Sequence, residues 1–188
     1  MSPIIASAED LARRHFQAIE TGDVELAKAS IHPEHVNHEA PDHPPACRQP
    51  GIPGFLATGA WLRLAFSDLR FELTELVTEG DRCIAHVVMS GRQTGPFVVF
   101  PPQGRPVAFP PTGATFAVRQ CHLFTIQDGL HADHAAVRDD LGMLTQLGHL
   151  PPTPRVAARM VRWQLGGGAR RAIRAAVQVA DEAVASYR

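Results

Sequence analysis

Two histidines and a glutamine in the second half of the chain are the residues best suited to chemistry. From Phe116 to Ile126 apolar side chains recur at every second position (Phe116, Val118, Phe124, Ile126), the period of a strand with one buried face. Gln120 and His122 fall on that same face. A polar pair set into an apolar wall must be satisfied by neighbours or by a ligand, since one such group buried without a partner costs about 1–3 kcal/mol. Histidine titrates close to neutral pH, so a histidine aimed into an apolar pocket is suited to moving protons. Beyond a turn at Asp128-Gly129, the strand from Leu130 to Asp139 carries His134. A symmetric count across that turn sets residue 122 opposite 135, which brings His134 near His122 and predicts that both face one cavity. The same count turns His131 outward. His32 and His35 flank Pro33 at the end of a short helix and read as solvated or capping residues. Asn37 and His38 stand at a strand end, near the mouth of any cone built from a curved sheet and helices, and one of them should point inward.

Other chemistries lack their signatures. No HxH, HxxxH or HExxH spacing is present, and a site drawn from His38, His86, His122, His134 or acids has no motif behind it, so no metal is predicted. The chain has no GxSxG, GxxxxGK[ST] or GxGxxG motif, and Gly166-Gly167-Gly168 reads as a linker. What remains is acid/base chemistry by histidine with aspartate, or plain ligand binding.

At 188 residues the chain can bury a core without staples, and its formal net charge of -1 leaves no basic footprint for nucleic acid in the first 150 residues. Three cysteines, Cys47, Cys83 and Cys121, have no CxxC spacing and point to a reducing, cytoplasmic setting. Met1 to Ala8 is a short apolar run without a basic region before it, and no apolar stretch is long enough to cross a membrane.

The elements that must position these residues follow from periodicity. Helices are predicted over Ala8 to Glu20, with Ser7 as cap, over Val24 to Ile31, and over Gly51 to Phe66, which carries Trp61. The Pro-rich stretch from Glu39 to Pro50 reads as a loop. Strands follow at Leu69 to Thr78 and Arg82 to Arg92. A Pro- and Gly-rich lip runs from Thr94 to Gly113, in which Phe97 to Phe100 forms a short strand or edge. The strand with Gln120 and His122, the final strand and a helical turn over Asp140 to Leu147 complete an α+β domain over residues 1–150. After Pro151-Pro152-Thr153-Pro154, residues 151–188 form a helical appendage, Arg155 to Leu165 and Ala169 to Tyr187. The second helix carries a weak apolar stripe (Ile173, Ala176, Val177, Ala180, Val184) that packs on its own or a partner subunit.

These residues resemble the SnoaL-like polyketide cyclase, or ester cyclase, family of the NTF2-like superfamily, over about Ala8 to Gly148. The resemblance is carried by Asn37-His38-Glu39, by Gly54-Phe55 to Leu62, and by Ser90-Gly91 through Gly95 and Phe97. Its most specific part is His122-x-Phe124-x-Ile126-x-Asp128-Gly129, with Asp133-His134 and Asp140-Leu141-Gly142 through Gln146-Leu147-Gly148. It implies an NTF2-like α+β cone, a curved antiparallel sheet around a hydrophobic pocket closed by three helices, assembled as a dimer or tetramer. It also implies cofactor-free ring closure of an aromatic polyketide ester by intramolecular aldol condensation, in which a base removes an acidic α-proton and the enolate attacks a ketone. On this reading His122 and His134 are catalytic, while Asn37, His38, Gln120, Trp61, Phe124 and Arg138 bind a hydrophobic small molecule. Family members have Trp and, in the cyclising ones, Asp after the strand histidine; here Ala135 and Ala136 stand there, and Gln93 replaces a common family histidine. Two further readings stay open. One is a non-catalytic binding module on the same cone. The other is another cofactor-free activity such as hydroxylation, dehydration or epoxide hydrolysis, for which Arg138 with Asp139 or Asp133 would serve.

Overall fold

The structure, a computed structural model, describes residues 7–187, so most of the Met1–Ala8 apolar run lies outside the described residues. Helix α1 (Ala8–Thr21) starts where the Ser7 hydroxyl accepts from the Asp10 N–H and stops at Gly22, whose left-handed backbone (φ 77°) suits glycine. Its buried stripe is Leu11, Ala12, His15, Phe16, Ala18 and Ile19. Helix α2 (Val24–Lys28) is capped by Asp23 and leads into β1 (Ile31–Asn37). Two 3₁₀ turns, Ala40–Asp42 and Pro45–Arg48, shape the Pro-rich loop before α3 (Gly51–Ala65), which is buried on almost every side.

Four long strands follow as a meander: β2 (Phe66–Glu79), β3 (Arg82–Gln93), β6 (Thr115–Gln127) and β7 (Leu130–Arg138). Between β3 and β6 the lip folds into a short hairpin of β4 (Phe97–Val99) and β5 (Val107–Phe109). The main sheet has the order β1-β7-β6-β3-β2, antiparallel except where β1 runs parallel to β7. Its alternating burial puts Phe116, Val118, Gln120, His122 and Phe124 on the inner face against α1 and α3. A Cβ on Gly95 would collide with the Leu64 carbonyl, so glycine there lets the lip start close against the end of α3.

Three expectations are corrected. First, β6 and β7 keep the symmetric register only as far as Ile126 opposite His131; a bulge beside Thr125 then shifts the pairing, so that His122 faces Ala136 and Phe124 faces His134. Second, the bulge reverses side-chain parity along β7, so His131 points inward with His134 and is fully buried. Third, His35 is buried as well, because β1 pairs with β7 and its ring reaches the His131 carbonyl. The strand β5 had no periodic signal.

Helix α4 (Asp140–Gln146) closes the cone, and α5 (Pro154–Leu165) and α6 (Gly168–Tyr187) follow. α6 buries Ala172, Ala176, Ala180 and Val184, one face at helical spacing. Ala180 and Val184 pack with Ala46, Cys47 and Ala57, so the last helix braces both α3 and the loop before it within the same chain.

Candidate active site

The cone encloses a cavity of about 140 Å³. The sheet contributes Met89, Gln120, His122, His134, Ala136 and Arg138 to its lining, and α1 contributes His15, Phe16 and Ile19. α3 adds Thr58, Trp61 and Leu62, while Asn37 at the end of β1 and Glu39, Asp42 and His43 of the connection to α3 complete this side. Phe97 and Val99 of the lip complete it from above, with the Phe97 ring 5.5 Å from that of Trp61. The lip is tied down where the Phe100 N–H donates to the Asp42 carbonyl at 2.8 Å.

Along the inner wall runs a chain of four side chains. His122 Nε2 lies 3.0 Å from Gln120 Oε1, His122 Nδ1 lies 2.9 Å from His134 Nε2, and His134 Nδ1 lies 3.0 Å from Asn37 Oδ1. The Asn37 amide is oriented by the Glu39 N–H, which donates to the same oxygen at 3.1 Å. The chain thus begins and ends on an acceptor. Three hydrogen bonds need three protons, whereas two neutral imidazoles carry only two. With both rings neutral, one gap holds no hydrogen, and bare nitrogens facing across it at 2.9 Å would repel. Two changes complete the chain: uptake of one proton, or a half-turn of the Gln120 amide that presents its NH₂ to His122 in place of Met89 Sδ, its contact at 3.2 Å. Burial pushes both histidines down, His122 to about 3 with Arg138 adding to the effect, and His134 well below its ordinary value with His122 adding to it. At neutral pH the resting pair is therefore uncharged and, with Gln120 Oε1 turned to His122, one proton short of a complete chain.

A second group of histidines lies behind it. His131 stacks on Phe124 with ring centres 4.0 Å apart, its Nδ1 is 3.3 Å from His15 Nδ1, and its Nε2 has no partner. Burial lowers His131 to about 3, His35 to about 4, and His15 well below its ordinary value.

Charge gathers on one side of the cavity. Arg138 sits 3.4 Å from Glu39 Oε2 and 3.5 Å from Asp140 Oδ2, and Glu39 Oε1 accepts from the Ala136 N–H at 3.1 Å. A carboxylate therefore reaches position 136 from the neighbouring segment, although residue 136 is itself alanine. Among the described residues no three His, Cys, Asp or Glu side chains converge as metal ligands.

Of the residues expected from the sequence, His122, His134, Asn37, Gln120, Trp61 and Arg138 line the cavity. His38 does not: its side chain is 55% exposed and bonds Asp133 at 2.8 Å on the outer surface, because alternation along the strand end turns Asn37 in and His38 out. Phe124 lies one layer back, packed against His131 and His134. Sequence reasoning assigned no site role to His15, His43, Glu39, Asp42 or Asp140. His43 is 3% exposed, its ring is 4.4 Å from that of Trp61, and neither of its nitrogens has a partner. The available signal was a histidine held between prolines, Pro41 and Pro44-Pro45.

The chain is similar to known proteins. The family model for SnoaL-like polyketide cyclase matches residues 9–147. Aklanonic acid methyl ester cyclase DnrD of Streptomyces peucetius is 36% identical over 146 residues, 77% of this chain and 93% of the relative. Nogalonic acid methyl ester cyclase of Streptomyces nogalater is 32% identical over 132 residues, 70% of this chain and 90% of the relative. Among solved structures, TsrD from Streptomyces laurentii superimposes with a TM-score of 0.64 at 30% identity, covering 80% of this chain and 99% of that one.

Proposed function

Since the chain belongs to the SnoaL-like polyketide cyclase family, we propose that it closes a ring in a hydrophobic, polyketide-like ester by a cofactor-free intramolecular aldol step. The observation that carries this reading is the buried Gln120–His122–His134–Asn37 chain, one proton short, in the wall of an apolar cavity. An activated α-carbon gives its proton to the histidine pair. The missing hydrogen bond forms as the charge arrives, and the amide oxygens at both ends stabilise the cation. The enolate carbon adds to the ketone, and the pair returns the same proton to the alkoxide oxygen. No electron or co-reactant is consumed. Asn37 and Gln120 line the cavity at the two ends of the pair, Trp61 supplies a flat apolar wall, and Arg138 attracts the polar end of the ester. Glu39, at the backbone of Ala136, brings a carboxylate to the place where cyclising relatives carry aspartate.

The test is direct. Purified protein incubated with aklanonic or nogalonic acid methyl ester should yield a cyclised isomer of unchanged mass, resolved by chromatography. Binding of both esters without any conversion would instead support a non-catalytic binding module, the reading that Ala136 favours.

This reading extends to assembly and setting. Val77, Ile84 and Leu123 are exposed and stand side by side across β2, β3 and β6 on the outer face of the sheet, with Ala135 of β7 next in the row; a second copy of the chain would cover them. Light scattering should give a dimer or tetramer, and L123K should shift it towards monomer; a monomeric wild type would remove the assembly. Three free thiols support a reducing cytoplasm. No helix among the described residues is long and apolar enough to cross a membrane.

A further inference from the structure

We infer that His43 is a further catalytic residue of the cavity, a neutral imidazole whose N–H holds the oxygen of the ketone under attack. The identity of that oxygen rests on the cyclase reading; the presence of a ligand-binding donor at His43 does not.

Most other polar side chains in the lining are engaged within the protein. His122 and His134 bond each other and two amides, Glu39 and Asp140 flank Arg138, and the Thr58 hydroxyl donates to the Gly54 carbonyl. His43 differs: among the described residues it alone has two buried side-chain nitrogens without a hydrogen-bond partner, and it faces the cavity. Orphaned groups of this kind are rare unless a ligand completes them.

Its position is firmly set. The His43 N–H donates to the Ala40 carbonyl at 3.0 Å, a 3₁₀ turn lies on each side, and Pro44 follows directly. The ring packs on Trp61, whose own Nε1 is fixed to the Val98 carbonyl at 2.9 Å. Ala46 and Cys47 anchor the loop from behind against α6. A ring held against Trp61 and between prolines, with its polar atoms left free, is preorganised for something that enters the cavity.

The surroundings select donor over base: neither ring nitrogen of His43 has an acceptor beside it to stabilise an imidazolium, whereas His122 and His134 have the two amide oxygens. Burial, then Arg138 and Arg48, push His43 down to about 3, so it stays neutral and carries one N–H and one bare nitrogen. Nearby guanidinium groups resist a proton arriving on this ring but favour negative charge growing beside it, as on a carbonyl oxygen becoming an alkoxide. The His122–His134 chain, which ends on acceptors, is complementary: it takes the proton while His43 holds the oxygen. His43 and His134 line the same cavity, so both can reach one reacting skeleton.

The experiment compares wild type with H43F, which keeps a ring on Trp61, and H43Q, which restores an N–H. With a methyl ester that wild type cyclises, H43F should lose about 100-fold or more in kcat with KM within about threefold, and H43Q should recover about tenfold. Near-normal kcat in H43F, or no recovery in H43Q, overturns the inference. If wild type cyclises neither ester, the cyclase reading fails by itself, and titration with a hydroxyanthraquinone then decides on His43. Binding at least tenfold weaker in H43F supports the donor; equal affinity, or no binding to either protein, overturns it. Should H43F not fold, ¹⁵N-histidine spectra of wild type serve: a His43 N–H resonance that shifts when the hydroxyanthraquinone is added supports the donor, and an unmoved one overturns it.

Discussion

The two groups of buried histidines share a sheet and a depth of burial, yet they are wired differently. His122 and His134 have all four ring nitrogens placed against partners in a line that ends on two amide oxygens. His131 and His15 share one contact at 3.3 Å, and His131 leaves its second nitrogen unpartnered against the aromatic face of Phe124. Burial disfavours charge in both groups, but only the first offers an incoming proton a completed set of hydrogen bonds. Depth of burial therefore does not separate a proton-handling histidine from a packing one; the sign of what stands at each end of its hydrogen bonds does.

The largest expected effect tests what the groups have in common. His15, His35, His43, His122, His131 and His134 all have folded-state pKa values below 6.5. Above about pH 6.5 these rings are neutral in both folded and unfolded chains, and full stability is present. As pH falls, the unfolded chain binds protons that the folded chain refuses, so stability is lost from 6.5 down towards the folded values of about 3 to 4. Each ring contributes about 1.4 kcal/mol per pH unit, and six together about 8, comparable with the whole stability of a domain. Circular dichroism should show acid unfolding between about pH 5.5 and 4.5. A fold unchanged to pH 4 would mean that the rings charge in place, and a loss shallower by one ring's share would locate proton uptake in the His122–His134 chain.

The next largest effect separates the groups. H122F and H134F should each lower turnover by about 10²–10⁴-fold with the fold retained, while H131L should leave it within about threefold. Equal losses in all three variants would erase the distinction.

How these groups read in the sequence differs as much as their wiring. The inner face of β6 was legible, because alternation over many residues leaves a single parity for Gln120 and His122, and the α+β order followed from three helical stretches before a meander. His131 and His35 were not legible. One extra residue near Ala132 in β7 reverses parity, and nothing in the run Leu130-His131-Ala132-Asp133 announces a bulge. His43 was hidden for another reason. A Pro-rich loop has no period, and its burial is decided by the lip and by α6, which lie far along the chain. The inward Asn37 and outward His38 needed only the strand parity, but that could not be assigned before the pairing of β1 with β7 was known.

Two smaller effects sharpen the contrast at its ends. Q120E replaces a neutral acceptor by a carboxylate at one end of the chain, 3.0 Å from His122 in the parent. An adjacent negative charge favours the imidazolium, so the acid limb of the rate profile should move up by about 1–3 pH units. An unmoved limb would show that this pair is not the base.

H131L should have the smallest effect, and its sign depends on pH. At pH 7 the substitution removes an orphaned nitrogen and fills similar volume, but it leaves His15 Nδ1 without its partner, so stability should change by no more than about 1–2 kcal/mol. At pH 5 the wild-type unfolded chain gains about 2 kcal/mol by protonating residue 131, a gain that leucine abolishes. Urea melts at the two pH values should therefore show H131L improving relative to wild type as pH falls. Parallel curves would mean that His131 takes up a proton in the folded state as readily as in the unfolded chain, and the difference between the two histidine groups would then lie in geometry rather than in charge.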